Sequence, residues 1–329
     1  LRLWRARNTT NFNMNLFSQG QYVQALQKNT DAEVISKVLY PSDDHDEGKL
    51  LRLSQQYFLV SASLQSIIAE HLNTYGSLYN FADKVAIHIN DTHPALCVPE
   101  LMRILIDDYC FSWDDAWDIT TRTMSYTNHT VMPEALETWN ESLFSFRLPR
   151  IHSIIKEINE RFCREAWTAF PGNWDIISKL SVIGYGQVRM ANLSVIGSHS
   201  INGVSKLHSD ILKASTFKDF YKMTPDKFTN VTNGIAHRRW LCQANPELTQ
   251  FISKHIGDGF VSNDQAQIHR FSQILLQILG GIDDSRIIAG IGYLPGGSYF
   301  NFTGSCLDRQ VAAVGQVHLI DPFPELIRT

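Results

Sequence analysis

The stretch Val85-Ala86-Ile87-His88-Ile89-Asn90-Asp91-Thr92-His93-Pro94 decides how this chain is read. A short β-branched, apolar run that stops at Asn-Asp-Thr-His-Pro predicts a buried strand with an abrupt polar end. Open α/β sheets bind ligands at the carboxyl ends of their strands, so Asp91 and His93 fall where a ligand would sit. Two more segments share this character, Tyr126-Thr127-Asn128-His129-Thr130 and Thr232-Asn233-Gly234-Ile235. Polar residues at three strand ends predict a site for a polar substrate.

From the first residue to about Phe260, short apolar runs alternate with amphipathic stretches, the pattern of an α/β fold with a parallel sheet. Strands are expected over residues 1–6, 85–89, 123–126 and 228–231. Helices are expected over 21–27, 31–38, 53–72, 99–108, 114–122, 150–165, 190–193 and 206–213, with another opening at 238. The most periodic is 53–72, where Tyr57, Val60, Leu64, Ile67, Ile68 and Leu72 recur at helical spacing and define one buried face.

The composition changes after about residue 260. No lysine follows, and glycines gather at Gly280, Gly281, Gly290, Gly292, Gly296 and Gly297. Gly290-Ile291-Gly292 is not a dinucleotide fingerprint, because Gly296 comes one position too late. Residues 261–329 are expected to form a divergent, loosely packed tail.

A chain of 329 residues is long enough for one large or two medium domains with a substantial core. The formal net charge of -4 gives no electrostatic case for nucleic acid or an anionic membrane as partner. No apolar stretch approaches the roughly 20 residues that span a bilayer. Leu1-Arg2-Leu3-Trp4-Arg5 lacks the character of a signal peptide, and the chain is expected to begin mid-domain. The five cysteines, Cys97, Cys110, Cys163, Cys242 and Cys306, are scattered and include no C-x-x-C pair, which argues against disulfides and zinc. Glycosylation-type triplets at Asn90, Asn128, Asn192 and Asn230 read as coincidence without a secretory signal, so a cytoplasmic location is expected.

Several long segments carry a specific resemblance. They are Leu39-Tyr40-Pro41-Ser42-Asp43-Asp44 with Glu47-Gly48-Lys49, Leu53-Ser54-Gln55-Gln56-Tyr57-Phe58, and Asn90-Asp91-Thr92-His93-Pro94-Ala95-Leu96 with Pro99-Glu100-Leu101-Met102-Arg103. The run from Tyr126 to Glu137 follows, then Gly197-Ser198-His199, Asn202-Gly203-Val204, Phe217-Lys218-Asp219-Phe220-Tyr221, Thr232-Asn233-Gly234-Ile235 and Arg238-Arg239-Trp240. Together they resemble the α-1,4-glucan phosphorylases: glycogen, starch and maltodextrin phosphorylase. The resemblance implies an incomplete Rossmann-like domain over residues 1–260, the later part of the N-terminal domain of a two-domain GT-B enzyme. It also implies phosphorolysis, in which inorganic phosphate releases glucose 1-phosphate from the end of an α-1,4-glucan. Members of the family use the phosphate group of pyridoxal 5′-phosphate and commonly form homodimers. Neither a Lys-Arg-x-x-Glu-Tyr-Lys nor a Gly-x-x-Asn-Met-Lys segment occurs, so the cofactor lysine is absent from this chain. The chain by itself is expected to be inactive.

Each site residue has a functional and a structural reading. His129 could satisfy backbone groups at a turn; the resemblance assigns it to the 6-hydroxyl of the reacting glucosyl unit, as the catalytic positioning residue. Asn233 could be a turn residue before Gly234; the resemblance makes it a second ligand of that hydroxyl. Asp91 and His93 could cap the helix after Pro94; the resemblance puts them beside acceptor-side sugars. Asp43 and Asp44 could belong to a solvated charge run; the resemblance makes this a gate loop, with Asp44 at the sugar 2-hydroxyl. Glu137 is either a surface helix residue or an acidic group behind His129. His88, Asp91 and His93 suggest metal ligands, but the odd spacing of His88 and His93 places them on opposite strand faces, and no metal is expected. Trp113, Trp117 and Trp139 are expected to pack helices more than to stack on sugars.

Overall fold

The computed structural model describes residues 3–7, 14–39, 41–234 and 236–261. The chain separates into two compact units, with the break between Thr232 and Asn233. The expected divergent tail after 260 lies, from residue 262, outside the described residues.

The first unit opens with helices α1 (Met14–Ser18), α2 (Tyr22–Lys37) and α3 (Asp46–Tyr75). The strand expected over 1–6 is not observed: residues 3–7 are irregular, and the Ala6 N–H donates to Ser36 Oγ on α2 rather than to a neighbouring strand. The two helices expected over 21–27 and 31–38 are one, because no proline or glycine interrupts α2. On α3 the His45 ring accepts the Gly48 N–H at 2.9 Å, and Asp46 and Glu47 sit at the positive end of the helix dipole. Gly76, left-handed at φ 71°, ends the helix by donating to the Leu72 carbonyl. Leu53, Val60, Leu64, Ile68 and His71 form the buried stripe between these caps.

The central sheet is parallel, with spatial order β1 (Ile87–Asn90), β2 (Met124–Thr127), β6 (Ser200–Gly203) and β7 (Phe228–Asn230). Ile89, Tyr126, Ile201 and Phe228 stand opposite one another across it and face the core. The next register row, Asn90, Thr127, Asn202 and Thr229, is polar and points to the other face, as strand alternation requires. Helix α4 (Phe81–Lys84) precedes β1, while α5 (Cys97–Arg103) and α6 (Trp113–Thr123) connect β1 to β2. The expected 99–108 helix continues from α5 as a π-helical turn, Ile104–Asp108. A buried polar group locks α3 to α5. The Glu100 carboxylate accepts from Tyr57 Oη at 2.9 Å, Ser61 Oγ at 2.7 Å and the Arg103 guanidinium. Burial, with Glu100 adding to it, pushes the Tyr57 phenol up to about 12.

Between β2 and β6 lies a small antiparallel sheet that periodicity does not reveal. It comprises β3 (Thr138–Asn140), β4 (Ile183–Gly184) and β5 (Gln187–Arg189), in the order β3-β5-β4. Tyr185 and Gly186, both at positive φ (54° and 69°), make the two-residue turn of its hairpin. Helices α7 (Glu141–Arg147), α8 (Pro149–Ala169), α9 (Trp174–Leu180) and α10 (Met190–Gly197) complete this insertion. Helix α11 (Lys206–Ile211), its π-helical continuation Leu212–Thr216, and α12 (Lys218–Met223) link β6 to β7. Trp139 is buried, and Trp113 and Trp117 pack against the core, in line with the helix-packing reading of the tryptophans. The described cysteines are free thiols.

In the second unit the described residues form α13 (His237–Ala244), α14 (Pro246–Ile256) and a short 3₁₀ turn, Asp258–Phe260. Asn245 caps α14 by accepting the Leu248 N–H at 3.0 Å, with Pro246 at the first helical position. No described helix is long and apolar enough to cross a membrane.

Candidate active site at the strand ends

The carboxyl ends of β1, β2 and β6 converge on one group of hydrogen bonds. Asp91, the first residue after β1, adopts φ 60°, a left-handed conformation that Asp tolerates and that turns the chain sharply. Its N–H donates to the Thr127 carbonyl on β2 at 2.9 Å, and its Oδ1 accepts the Thr92 N–H at 2.8 Å. The capping reading of Asp91 and His93 is overturned: α5 begins at Cys97, its N-cap position is Leu96, and no side chain caps it. The intervening residues 92–96 are occupied by turns, which leaves His93 exposed.

His129 is exposed just beyond β2, and its Nε2 lies 2.7 Å from Asn90 Oδ1. Beneath it, Asn128 is fully buried: its N–H donates to the Asn202 carbonyl at 3.0 Å, and its Nδ2 donates to Tyr126 Oη at 3.0 Å. Burial drives the Tyr126 phenol far above its ordinary range, with the Asp91 and Glu137 carboxylates adding to the effect. On the polar face, Thr127 Oγ1 donates to Asn202 Oδ1 at 2.7 Å and also contacts His88 Nε2, while Ser125 Oγ lies 2.9 Å from His88 Nδ1. Desolvation, reinforced by the nearby His129, holds the His88 imidazole below its usual 6.5. Among the described residues, no three His, Cys, Asp or Glu side chains are arranged to hold a metal.

Glu137 joins this group from the side. One carboxylate oxygen accepts from Thr92 Oγ1 and the other from Gln56 Nε2, both at 2.9 Å. It also lines a cavity of about 890 Å³ together with Asp43, Thr138, Asn140 and Gln187. In the loop before α3, Asp43 accepts from Arg52 Nη1 at 3.0 Å, and Asp44 accepts from Ser42 Oγ at 2.8 Å. Gly48 lets this loop fold onto the helix, because a Cβ there would lie 1.7 Å from the Ser42 carbonyl oxygen. Asp91, His93, His129 and Glu137 thus gather at the strand ends, and Asp43 reaches them through the cavity that Glu137 shares. Asp44 is exposed in the same loop. Asn233 is exposed and is the first residue of the second unit; Ile235 lies outside the described residues.

Sequence reasoning missed Asn202 as the residue that ties β2 to the next strand. The only signals were Ile201 between polar neighbours and an Asn-Gly pair, too little to predict a strand. Residues 90–93, 127–131 and 202–204 supply imidazole, carboxylate, amide and hydroxyl groups, but no lysine or arginine. Such a surface suits a neutral, polyhydroxylated ligand better than an anion.

Comparison with known proteins fits this chemistry. A family profile described as "Phosphorylase: Carbohydrate phosphorylase" matches residues 1–276. This chain belongs to the carbohydrate phosphorylase family. Glycogen phosphorylase of Bacillus subtilis (strain 168) is 51% identical over 268 residues, which cover 82% of this chain and 33% of that protein. The muscle form of glycogen phosphorylase from Homo sapiens is 46% identical over 303 residues, covering 88% of this chain and 35% of the relative. The brain form from Rattus norvegicus is 46% identical over 302 residues, with the same coverage. The chain therefore spans about a third of the length of these relatives. The phosphorylase match continues past residue 260, where the composition changes.

Proposed function

We propose that this chain supplies the glucan-facing wall of an α-1,4-glucan phosphorylase of the GT-B type. The observation that carries this reading is the His129–Asn90 hydrogen bond, which joins two motif-bearing strand ends into one exposed polar surface. In this reading His129 positions the 6-hydroxyl of the reacting glucosyl unit. Asp44 meets the 2-hydroxyl, Asp91 and His93 meet neighbouring sugar hydroxyls, and Asp43 belongs to the gate. Glu137 holds Thr92 and thereby the loop that carries Asp91 and His93. The partners are an α-1,4-glucan and inorganic phosphate, the location is the cytoplasm, and the full-length protein is a homodimer. The tail read as divergent is residues 261–329, of which the family profile matches the part up to residue 276.

Pyridoxal 5′-phosphate supplies an acidic or basic phosphate group in family members, and the lysine segment that family members use for it is read as absent from this sequence. The deeply set Lys227 lies at the amino end of the sheet, where its Nζ donates to the Ile196 carbonyl at 3.3 Å, and burial lowers its pKa. It is committed to the end of α10, away from the strand ends that carry His129. The chain alone is therefore a sugar-binding half-site without turnover.

The test is to incubate the purified 329-residue chain with maltoheptaose and inorganic phosphate, following binding by calorimetry and glucose 1-phosphate by a coupled assay. Saturable binding with no product is expected. Glucose 1-phosphate above the blank would overturn the inactivity, and a flat calorimetric trace would overturn the sugar wall. A non-catalytic glucan-binding module is the second reading, favoured by the exposure of His88, Asn90 and Thr229 on the outer sheet face. It gains support if extending the chain to the full length of its relatives adds no turnover.

A further inference from the structure

Because the central sheet is parallel, the segments that enter β2, β6 and β7 meet at its amino end, opposite the end that carries His129. There a cavity of about 540 Å³ lies between α6, α8, the end of α10 and α12. Trp117, Ile158, Phe162, Phe220 and Met223 give it apolar walls. Its polar lining includes donors that lack acceptors. Ser198, the residue after α10, is fully buried and its Oγ has no hydrogen-bond partner; the buried Trp113 Nε1 on α6 has none either. Lys227, the residue before β7, donates to the Ile196 and Val195 carbonyls at 3.3 and 3.5 Å, which leaves one N–H of the ammonium unused. Among the described residues no carboxylate forms an ion pair with Lys227. Burial lowers its pKa, and Glu165 opposes that only from beyond ion-pair distance. The other carboxylate in the lining, Asp114, is bound to Arg161 at 2.8 Å.

The end of α10 brings two of these donors together, since Lys227 is held by the carbonyl of Ile196, two residues before Ser198. Lysine and tryptophan side chains can only donate, so an occupant must bring acceptor atoms. One ammonium without a paired carboxylate selects a single negative charge, and the apolar walls select a hydrocarbon or aromatic body. We propose that this cavity is a ligand site for an amphiphilic monocarboxylate, whose carboxylate accepts from Lys227 Nζ and Ser198 Oγ while its apolar body lies against Trp117, Phe162 and Phe220. A buried donor without an acceptor costs free energy, and such a ligand recovers it on binding. In a purely structural role Lys227 would only cover the end of α10, and the Ser198 hydroxyl would contribute nothing. The site lies at the opposite ends of the strands from the glucan wall and does not depend on that reading.

The experiment titrates the purified 329-residue chain, by calorimetry, with 4-phenylbutyrate and separately with the uncharged 4-phenylbutanol, which keeps the apolar body. Saturable binding of the carboxylate with a dissociation constant of about 1 mM or lower is expected, and the alcohol should bind at least about tenfold more weakly. Lys227→Met keeps the apolar stem; it should weaken the carboxylate about tenfold and leave the alcohol within about twofold. Ser198→Ala removes a hydroxyl that has no partner in the ligand-free fold. Its melting temperature should therefore stay within about 2 °C of the parent, while carboxylate affinity falls about fivefold. No saturation by the carboxylate up to about 10 mM overturns the inference, as does equal affinity for acid and alcohol. An affinity unchanged in either variant overturns it as well. Should Lys227→Met fail to fold by circular dichroism, Ser198→Ala decides: a weaker carboxylate at an unchanged melting temperature supports the site, and an unaltered affinity overturns it. Repeating the titration with maltoheptaose present checks the location. Undiminished carboxylate binding agrees with the amino end of the sheet, whereas competition would put the carboxylate on the glucan wall and overturn the inference.

Discussion

His129 Nε2 bonds to Asn90 Oδ1 at 2.7 Å, and the bond spans two parallel strands just past the last pair of their ladder, Asn90 and Thr127. With the amide oxygen accepting, Nε2 carries the hydrogen, and Nδ1 of the neutral ring remains an acceptor for a ligand hydroxyl. Both residues are exposed, so the bond orients a side chain without contributing to the core.

Replacing Asn90 with alanine should therefore separate binding from stability. Asn90→Ala is expected to weaken maltoheptaose binding by about five- to tenfold, the value of one hydrogen bond. The melting temperature should stay within about 2 °C of the parent. Calorimetry and thermal melting on the same preparation test this. An unchanged affinity would remove the bond from the site.

Glu137→Ala should behave in the opposite way. Thr92 is 3% exposed and its hydroxyl depends on the Glu137 carboxylate. Stranding that buried hydroxyl costs about 1–3 kcal/mol, so a melting temperature lower by several degrees is expected in scanning calorimetry. Glu137→Gln keeps an acceptor oxygen for Thr92 and should lose less. Equal losses in both variants would show that the contact matters for its charge alone.

Gly48 tests the loop before α3. A methyl group there collides with the Ser42 carbonyl, and backbone on either side must shift. Gly48→Ala is expected to leave the helical circular dichroism unchanged and to speed cleavage beside Asp43, Asp44 and Glu47 by an acidic-residue protease. Peptide mapping against time gives the answer; an unaltered cleavage rate would mean that the loop is not held at this point.

Acid should weaken the first unit through two histidines. Burial holds both His88 and His208 below 6.5, so each is neutral in the fold where the unfolded chain would already be protonated. The unfolded state then binds more protons. The stability that these groups contribute is fully present above 6.5 and is lost as the pH falls through 6.5 towards their folded values. Urea midpoints measured from pH 8 down to pH 5 should decline on the acid side, and less steeply in His208→Gln. A flat profile would contradict the desolvation of both rings.

The sequence carried clear signals where a segment repeats one pattern many times. On α3 the apolar stripe recurs along the helix, so residues 53–72 could be read without a fold, whereas the first turn from Asp46 and the caps at His45 and Gly76 were not read from the sequence. The strand ends of β1 and β2 were readable because an apolar run stops at a cluster of polar residues. β6 has one core-facing apolar residue, Ile201, between Ser200 and Asn202, and β3, β4 and β5 are two or three residues long. No periodicity accumulates over such lengths. The strand expected over 1–6 failed for the opposite reason: an apolar start was present, but the Ala6 N–H found its partner on a helix.

The sequence by itself determined the family, the α/β class and the residues that crowd the strand ends. Those rest on local runs and motifs, which a linear reading contains in full. Only the tertiary structure decided that β6 lies between β2 and β7, that Asn202 secures Thr127 and Asn128, and that Asn90 orients His129. The same holds for Glu137, which holds Thr92 across 45 positions of sequence. Sheet order and cross-strand bonds depend on the register between segments far apart in the chain, and that register is fixed only when the core closes.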